Sequence, residues 1–512
     1  SPLLCRINVQ RQQIDRQLTD LRRRSDEFRQ ITSHMQEGLV LLNESGAVLS
    51  INAAACRVFG TGESCLGQDF LTVDRGRDVS DALASAMDAG HSEVRVQRLG
   101  RIYQFDISRI QSGPDTLGAV LLAFDIGTTT IAGYLLDEQG TQLASASMLN
   151  PQKAFGADVV SRLQAAISGK LEALTASVRD GLEELTQELC RKSGRLPRDI
   201  GTVCVVGNPC MQQLFLGISP KNLAEIPFTP ILTRTQVQRA DAFLPLWGDA
   251  ALLTVPDISG YVGADTMACV IATELDQAQA WTLLVDIGTN GEMVLGCRKR
   301  MVACSTAAGP ALEGANIRFG MRGAAGAIDH VWLENGQFRC SVIGGGKAVG
   351  ICGSGLIDAV ACCLDAGFLN QRGRIQTTEE LDGARIVRLT KEVYLTQEDI
   401  RQVQLAKGAI AAGIQLMARE LSIELRQIHQ VLLAGAFGSF LSPDSACKIG
   451  LLPRALQGRI QAVGNAAGSG AKAMACSKAE FVKTDVLRER IQALELGSVP
   501  GFQHEFAKQM RF

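Results

Sequence analysis

The sequence predicts an α/β protein of two lobes, preceded by an N-terminal helix and a small α+β domain. Three observations predict it. A buried apolar strand that ends in Asp-Ile-Gly-Thr occurs twice, from Leu121 to Thr130 and from Leu283 to Glu292. Long amphipathic helices are interspersed with short buried strands. Two helices open on runs of small residues, at Gly260 to Cys269 and at Val463 to Ala471, as expected where helices cross closely between lobes.

The repeated stretch carries the candidate chemistry. After each copy the apolar pattern resumes at once, in Ile131 to Leu136 and in Met293 to Gly296, so each reads as strand, tight turn, strand. Gly127 and Gly288 let the backbone approach a ligand closely. The hydroxyls of Thr128, Thr129, Thr130 and Thr289, with the turn N–H groups, suit phosphate oxygens. Asp125 and Asp286 would supply the one or two carboxylates that a hydrated Mg²⁺ on a nucleotide receives. A single copy reads equally well as an ordinary hairpin; the duplication favours a phosphate clamp.

Composition narrows the function classes. The chain has 512 residues, 46% of them hydrophobic and 20% charged, enough for several packed domains. A net charge of −2 gives no case for a nucleic-acid partner. The fifteen Cys include no C-x-x-C pair, which speaks against a zinc ribbon or a common iron–sulfur pattern. Scattered thiols suit a reducing, cytoplasmic setting. No apolar run reaches the roughly 18 residues of a membrane span. The chain begins at Ser1 without Met, which leaves room for a preceding segment, an anchor included.

Residues 1–36 are polar, with Ile14, Leu18, Leu21, Phe28 and Met35 on a 4-3 heptad pattern. This reads as a helix that forms a short coiled-coil homodimer or packs on its own domain. Residues 37–122 form the next expected unit. Gly38 to Leu42 and Ala47 to Ile51 read as a hairpin around Asn43 to Gly46, and Asn52 to Gly60 as a short helix. Strands follow at Glu93 to Arg98, Arg101 to Ile110 and Leu117 to Ile126. This segment resembles a PAS sensor domain of bacterial sensor histidine kinases. It carries no flavin-adduct Cys motif and only His91 nearby, and no phosphoacceptor helix follows it.

From Phe124 the chain changes. Asn150 to Arg162 is a Pro/Gly turn leading into a helix, with Asp158 as a first-turn acid or a cleft residue. Leu171 to Cys190 is amphipathic. Val203 to Asn208 is a buried strand whose Asn208 serves either turn or cleft. Gly344 to Lys347 and Gly353 to Asp358 are Gly clusters that do not match a P-loop, the second feeding a helix whose N-terminus suits an anion. Asp399 to Ala418 is a second long helix. Val431 to Ser439 is a buried strand entering a turn, where Gly435 and Gly438 leave room for a flat ring.

The order of two Asp-Ile-Gly-Thr hairpins, two small-residue helices and a late Ala434-Gly435-Ala436-Phe437-Gly438 turn resembles the ASKHA superfamily of acetate and sugar kinases, heat-shock chaperones and actin. Asn150-Pro151-Gln152, Asp286 to Glu292, Cys304 to Gly314, Ile351 to Asp358, Gln404 to Lys407 and Phe437 to Leu452 resemble the reductive activators of corrinoid proteins. The resemblance runs from about residue 120 to Phe512. It implies an actin-like, ribonuclease H-like ATPase with lobes at 123–280 and 281–512. It implies ATP and Mg²⁺ as ligands, with Asp125 and Asp286 as catalytic and metal-binding carboxylates. Gly127, Thr128, Thr129 and Thr130 would form the first phosphate motif, Gly288, Thr289, Asn290 and Gly291 the second, and Gly435 and Gly438 would lie at the adenosine. The implied activity is ATP-driven reduction of a Co(II) corrinoid protein to Co(I). Relatives usually carry a ferredoxin-like domain; here a helix and a PAS-like segment stand in its place. No iron–sulfur cluster is therefore expected in this chain, and an external electron donor is. A small-molecule kinase and a PAS-regulated ATP switch remain the alternative readings.

One conflict is visible. Leu121 to Ile126 is claimed both as the last PAS-like strand and as the first strand of the ATP lobe. A strand has two edges, so the segment either splits near Ala123 or leaves one domain incomplete. The expectation is that Phe124 to Thr128 pairs within the ATP lobe.

Overall fold

The computed structural model describes residues 38–42, 47–59, much of 61–108, and 119–512 apart from 439. The helix expected over 1–36 and the turn at 43–46 lie outside the described residues. The chain divides into two compact units, 1–114 and 115–512.

In the first unit, strands β1 (Val40–Leu42) and β2 (Val48–Ile51) pair antiparallel, and β3 (His91–Arg98) and β4 (Arg101–Ser108) pair antiparallel. Among the described residues these are two separate two-stranded sheets. A small core of Val48, Cys65, Phe70 and Val79 binds the first hairpin to the helices Ala53–Phe59 and Phe70–Val73.

The second unit is built on two six-stranded sheets of like topology. In the first, β5 (Val120–Ile126) lies between antiparallel β6 (Thr130–Leu136) and parallel β8 (Ile200–Gly207). Beyond them lie β7 (Gln142–Leu149) on one side and β10 (Ala251–Thr254) and β9 (Gln236–Arg239) on the other. In the second, β11 (Thr282–Ile287) lies between antiparallel β12 (Gly291–Cys297) and parallel β20 (Gln430–Ala434). There β13 (Arg300–Thr306) and β22 (Ile491–Ala493) flank one side and parallel β21 (Ile460–Gly464) the other. Smaller sheets of β14 (Ala327–Glu334), β15 (Gln337–Val342) and β16 (Gly350–Ile351), and of β17 (Glu380–Leu381), β18 (Ala384–Arg388) and β19 (Tyr394–Thr396), are inserted in the second lobe.

β5 is central because its sequence buries both faces: Val120, Leu122, Ala123, Phe124 and Ile126 have no exposed surface. Both of its edges are occupied from Leu121 to Ile126, by β6 and by β8. The conflict over this strand is therefore decided. Phe124 pairs within the second unit, as expected, but the split near Ala123 does not occur, because Leu121 and Leu122 have no free edge to offer another sheet.

Leu171–Ser193 forms the long amphipathic helix, with Leu174, Val178, Leu182, Leu185 and Leu189 turned into the core; Gly194 at φ 70° ends it. Gln397–Glu420 is the second, opened by a capping box between Thr396 and Asp399. Asp158 caps the helix Val159–Ala165 in the same way, so its role is structural. The Gly353–Asp365 helix starts buried rather than facing an anion: a Cβ at Gly355 would lie 2.3 Å from the Ile328 carbonyl of β14.

The two small-residue helices, Ala264–Ala272 and Ala466–Cys476, lie between the sheets. A Cβ at Gly470 would stand 1.9 Å from the Ala268 carbonyl, so the crossing is backbone against backbone. One apolar cluster runs through this crossing and takes Ala123, Cys204 and Val206 from one sheet and Leu284, Val294 and Leu432 from the other.

Candidate functional site

Each central strand ends in its Asp, and the crossing helices bring the two ends together. Asp125 lies in register with Ala132 and Val206, Asp286 with Glu292 and Ala434. Asp265, in the first turn of Ala264–Ala272, joins them. Burial and the charges of Asp265 and Asp286 push the Asp125 carboxyl up to about 8, although Asn465 donates to it at 3.2 Å. Burial, with the charge of Asp286, pushes Asp265 to about 7. Burial pushes Asp286 to about 6, against a Cys269 thiol 3.6 Å away that donates to it. Glu292 is raised by burial and by the same two aspartates. Four carboxyls thus repel one another at the base of the cleft.

Such a set suits a divalent cation. Among the described residues no three His, Cys, Asp or Glu side chains already converge as a metal cage. Gly435 (φ 85°) lies against the Asp286 carboxyl: a Cβ there would lie 2.6 Å from Asp286 Oδ1.

The two turns face each other. The Thr129 and Thr289 hydroxyls are 3.1 Å apart, and Thr289 Oγ1 donates to Glu313 Oε1 at 2.8 Å. Gly288 is open, with only Glu313 Oε1 and the Asn290 carbonyl within 4 Å of a Cβ there. Gly127 is needed for the turn itself, since a Cβ would meet the Thr130 carbonyl at 2.6 Å. The Thr128 hydroxyl is buried and accepts from Asn208 Nδ2 at 3.0 Å. Thr130 is exposed at the start of β6. At Gly291 a Cβ would lie 2.8 Å from Thr306 Oγ1 and 2.9 Å from Ile410, and at Gly438 it would come within 3.3 Å of Leu433.

Asp265, Glu292, Glu313 and Asn465 escaped the sequence reading as site residues. Asp265 and Asn465 had a usable signal, since each is a polar residue at the opening of a helix otherwise rich in small residues. Asn465 caps its own helix through Gly468 N and also reaches Tyr134 at 3.1 Å.

The raised carboxyls set a pH dependence. A carboxyl whose folded pKa lies above its unfolded 3.8 contributes stability that is present below that value and lost as pH rises through the folded pKa. The window here runs from about 4 to about 8, set by Asp286, Asp265 and Asp125. The nucleotide-free protein is expected to melt lower at about pH 8 than at about pH 5, and Mg²⁺ with nucleotide to flatten the slope. Melting temperatures that rise between those pH values without nucleotide would contradict the cluster.

Two like-folded sheets, each ending its central strand in Asp beside a Gly-Thr turn, define the ASKHA class, a fold that implies nucleotide and Mg²⁺ binding. The family model of the C-terminal ASKHA domain of RACo matches residues 280–512, and that of the RACo middle region matches 120–278. The chain belongs to this family, the reductive activators of corrinoid proteins. It is 36% identical over 417 residues to the corrinoid activation enzyme RamQ of Eubacterium limosum, across 76% of this chain and 70% of that one. It is 25% identical over 364 residues to a [Co(II) methylated amine-specific corrinoid protein] reductase of Methanosarcina barkeri, across 65% of each. A solved reductive activator for corrinoid, iron–sulfur protein superposes with a TM-score of 0.71 at 30% identity, covering 90% of this chain and 76% of that one. Among the described residues no helix is long and apolar enough to cross a membrane.

Proposed function

We propose that this chain binds and hydrolyses ATP and couples it to the reduction of a Co(II) corrinoid protein to the Co(I) form. The observation that carries the reading is the meeting of the two Gly-Thr turns, Thr129 to Thr289, over a cluster that holds Asp125 and Asp286. Phosphoryl transfer to water needs positioned phosphates and an oriented nucleophile more than covalent chemistry. Gly127 and Thr129 from one lobe, and Gly288, Thr289 and Asn290 from the other, hold the phosphates. Gly435 keeps the backbone clear beside Asp286. Asp125 and Asp286 would hold Mg²⁺, which would supply charge neutralisation at the phosphate oxygens. Glu313, beside Thr289, is placed to orient a water.

ATP carries no electron to cobalt, so the reductant is a separate donor and no iron–sulfur cluster of this chain is invoked. In this reading 1–36 serves as a dimerising helix and the segment from 37 up to β5 as a PAS-like sensor, the sheets centred on β5 and β11 belong to the two ATPase lobes, and the protein works in the cytoplasm.

The test measures phosphate release with and without a Co(II) corrinoid protein, under a titanium(III) reductant, while Co(I) is followed by absorbance. The expected result is release stimulated by the corrinoid protein, with Co(I) forming only when ATP is present. ADP formation without phosphate release, indifferent to the corrinoid protein and dependent on an added sugar, would make the chain a kinase. ATP binding without turnover would leave a switch.

A further inference from the structure

Arg162 is a buried cation with no anion to answer it. It lies on the helix Val159–Ala165 with no exposed surface. Its Nη2 donates to the Thr128 carbonyl at 2.5 Å and its Nε to the Gly156 carbonyl at 3.0 Å. Its Nη1 reaches Gln152 Oε1 at 3.5 Å and Met211 Sδ at 3.2 Å. All are neutral. Among the described residues no carboxylate forms an ion pair with it; the charged or titratable groups that act on it are exposed Asp158 and the Cys210 thiol. Burial brings its pKa down to about 10, so it stays charged at neutral pH. A buried charge without an ion-pair partner is costly to hold.

We propose that Arg162 is the fixed counter-charge for the nucleotide's phosphates, acting through the first phosphate turn. The guanidinium holds the Thr128 carbonyl, and in a trans peptide the Thr129 N–H then points away from it. Asn150 Nδ2 holds the Gly127 carbonyl at 2.8 Å in the same manner, and the Asn150 amide holds the Thr129 carbonyl at 3.0 Å. This assigns work to the Asn150-Pro151-Gln152 motif: Asn150 sets the turn and Gln152 seats the cation. The second turn is charged the other way, since Thr289 leans on the Glu313 carboxylate. The phosphates therefore sit closer to the first turn, and the inference rests on the ATP reading of the cleft. Arg162 touches no ligand; it is a positioning residue.

The experiment is calorimetry of ATP and of adenosine on the whole chain, for the parent, Arg162→Gln and Arg162→Lys, with circular dichroism to confirm folding. Arg162→Gln is expected to weaken ATP by about tenfold or more while adenosine changes by less than about twofold, and Arg162→Lys to recover most of the loss. If the Gln variant does not fold, Arg162→Met, which replaces the buried charge with an apolar chain, carries the same comparison. Equal weakening of ATP and adenosine, or no weakening, would make Arg162 a packing residue and overturn the proposal. A parent that binds no ATP would overturn the nucleotide reading itself.

Discussion

Asp286→Asn is expected to reduce ATP hydrolysis by about a thousandfold and, at the same time, to raise the melting temperature at about pH 8. The two effects have one cause. Asp286 ends the central strand of its lobe, and its carboxylate raises the pKa of Asp125, Asp265 and Glu292. A neutral amide of the same shape removes that repulsion, so the nucleotide-free fold gains stability. The gain grows as pH rises through about 6, where Asp286 itself becomes charged. In the proposed reading, Mg²⁺ would lose one of its two carboxylate ligands. The assay is steady-state phosphate release beside thermal melts of the same preparation. A folded variant that hydrolyses ATP within about tenfold of the parent would refute the catalytic role. A lower melting temperature at pH 8 would refute the electrostatic account.

Gly470→Val is expected to damage the fold severely, at about 3 kcal/mol or more. The added Cβ would enter the Ala268 backbone, with its oxygen at 1.9 Å and its carbonyl carbon at 2.4 Å. Backbone cannot step aside as the end of a side chain can. The helix Ala466–Cys476 also lies against the first sheet, where Gly468 fits under the Tyr134 ring and Asn465 holds Asp125. Lifting the helix therefore disturbs the carboxylate cluster as well as the seam between the lobes. The measurement is chemical denaturation together with ATP affinity. Parent-like stability would mean that the two helices do not cross in contact.

Some of this protein is legible along the chain because it is local. A buried strand announces itself by continuous apolar residues, a tight turn by Gly, and a helix by its stripe. Those signals suffice for β5 and β11, for both long helices and for the strand-end aspartates. The duplication of Asp-Ile-Gly-Thr then points to two like lobes, since two copies of one local pattern build two copies of one sheet. Asp265 and Asn465 could have been suspected on the same terms, as polar openings of helices otherwise made of small residues.

What only the tertiary structure decided is which groups share space and which edge a strand takes. Leu121 to Ile126 fits two sheets equally well by pattern; β6 and β8 claim it because both of its edges bond there and both of its faces are buried. Thr128 and Thr129 are neighbours of one residue type, yet one is drawn inward by Asn208 and the other meets Thr289 across the cleft. Arg162 reads as an ordinary helix residue until the fold places it, buried and without an ion pair, behind the turn that Asp125 introduces. Hydrogen bonds and charges act through distance in space, and the separations along the chain here, 160 residues for Thr129 and Thr289 and 340 for Asn465 and Asp125, leave no trace in any local pattern.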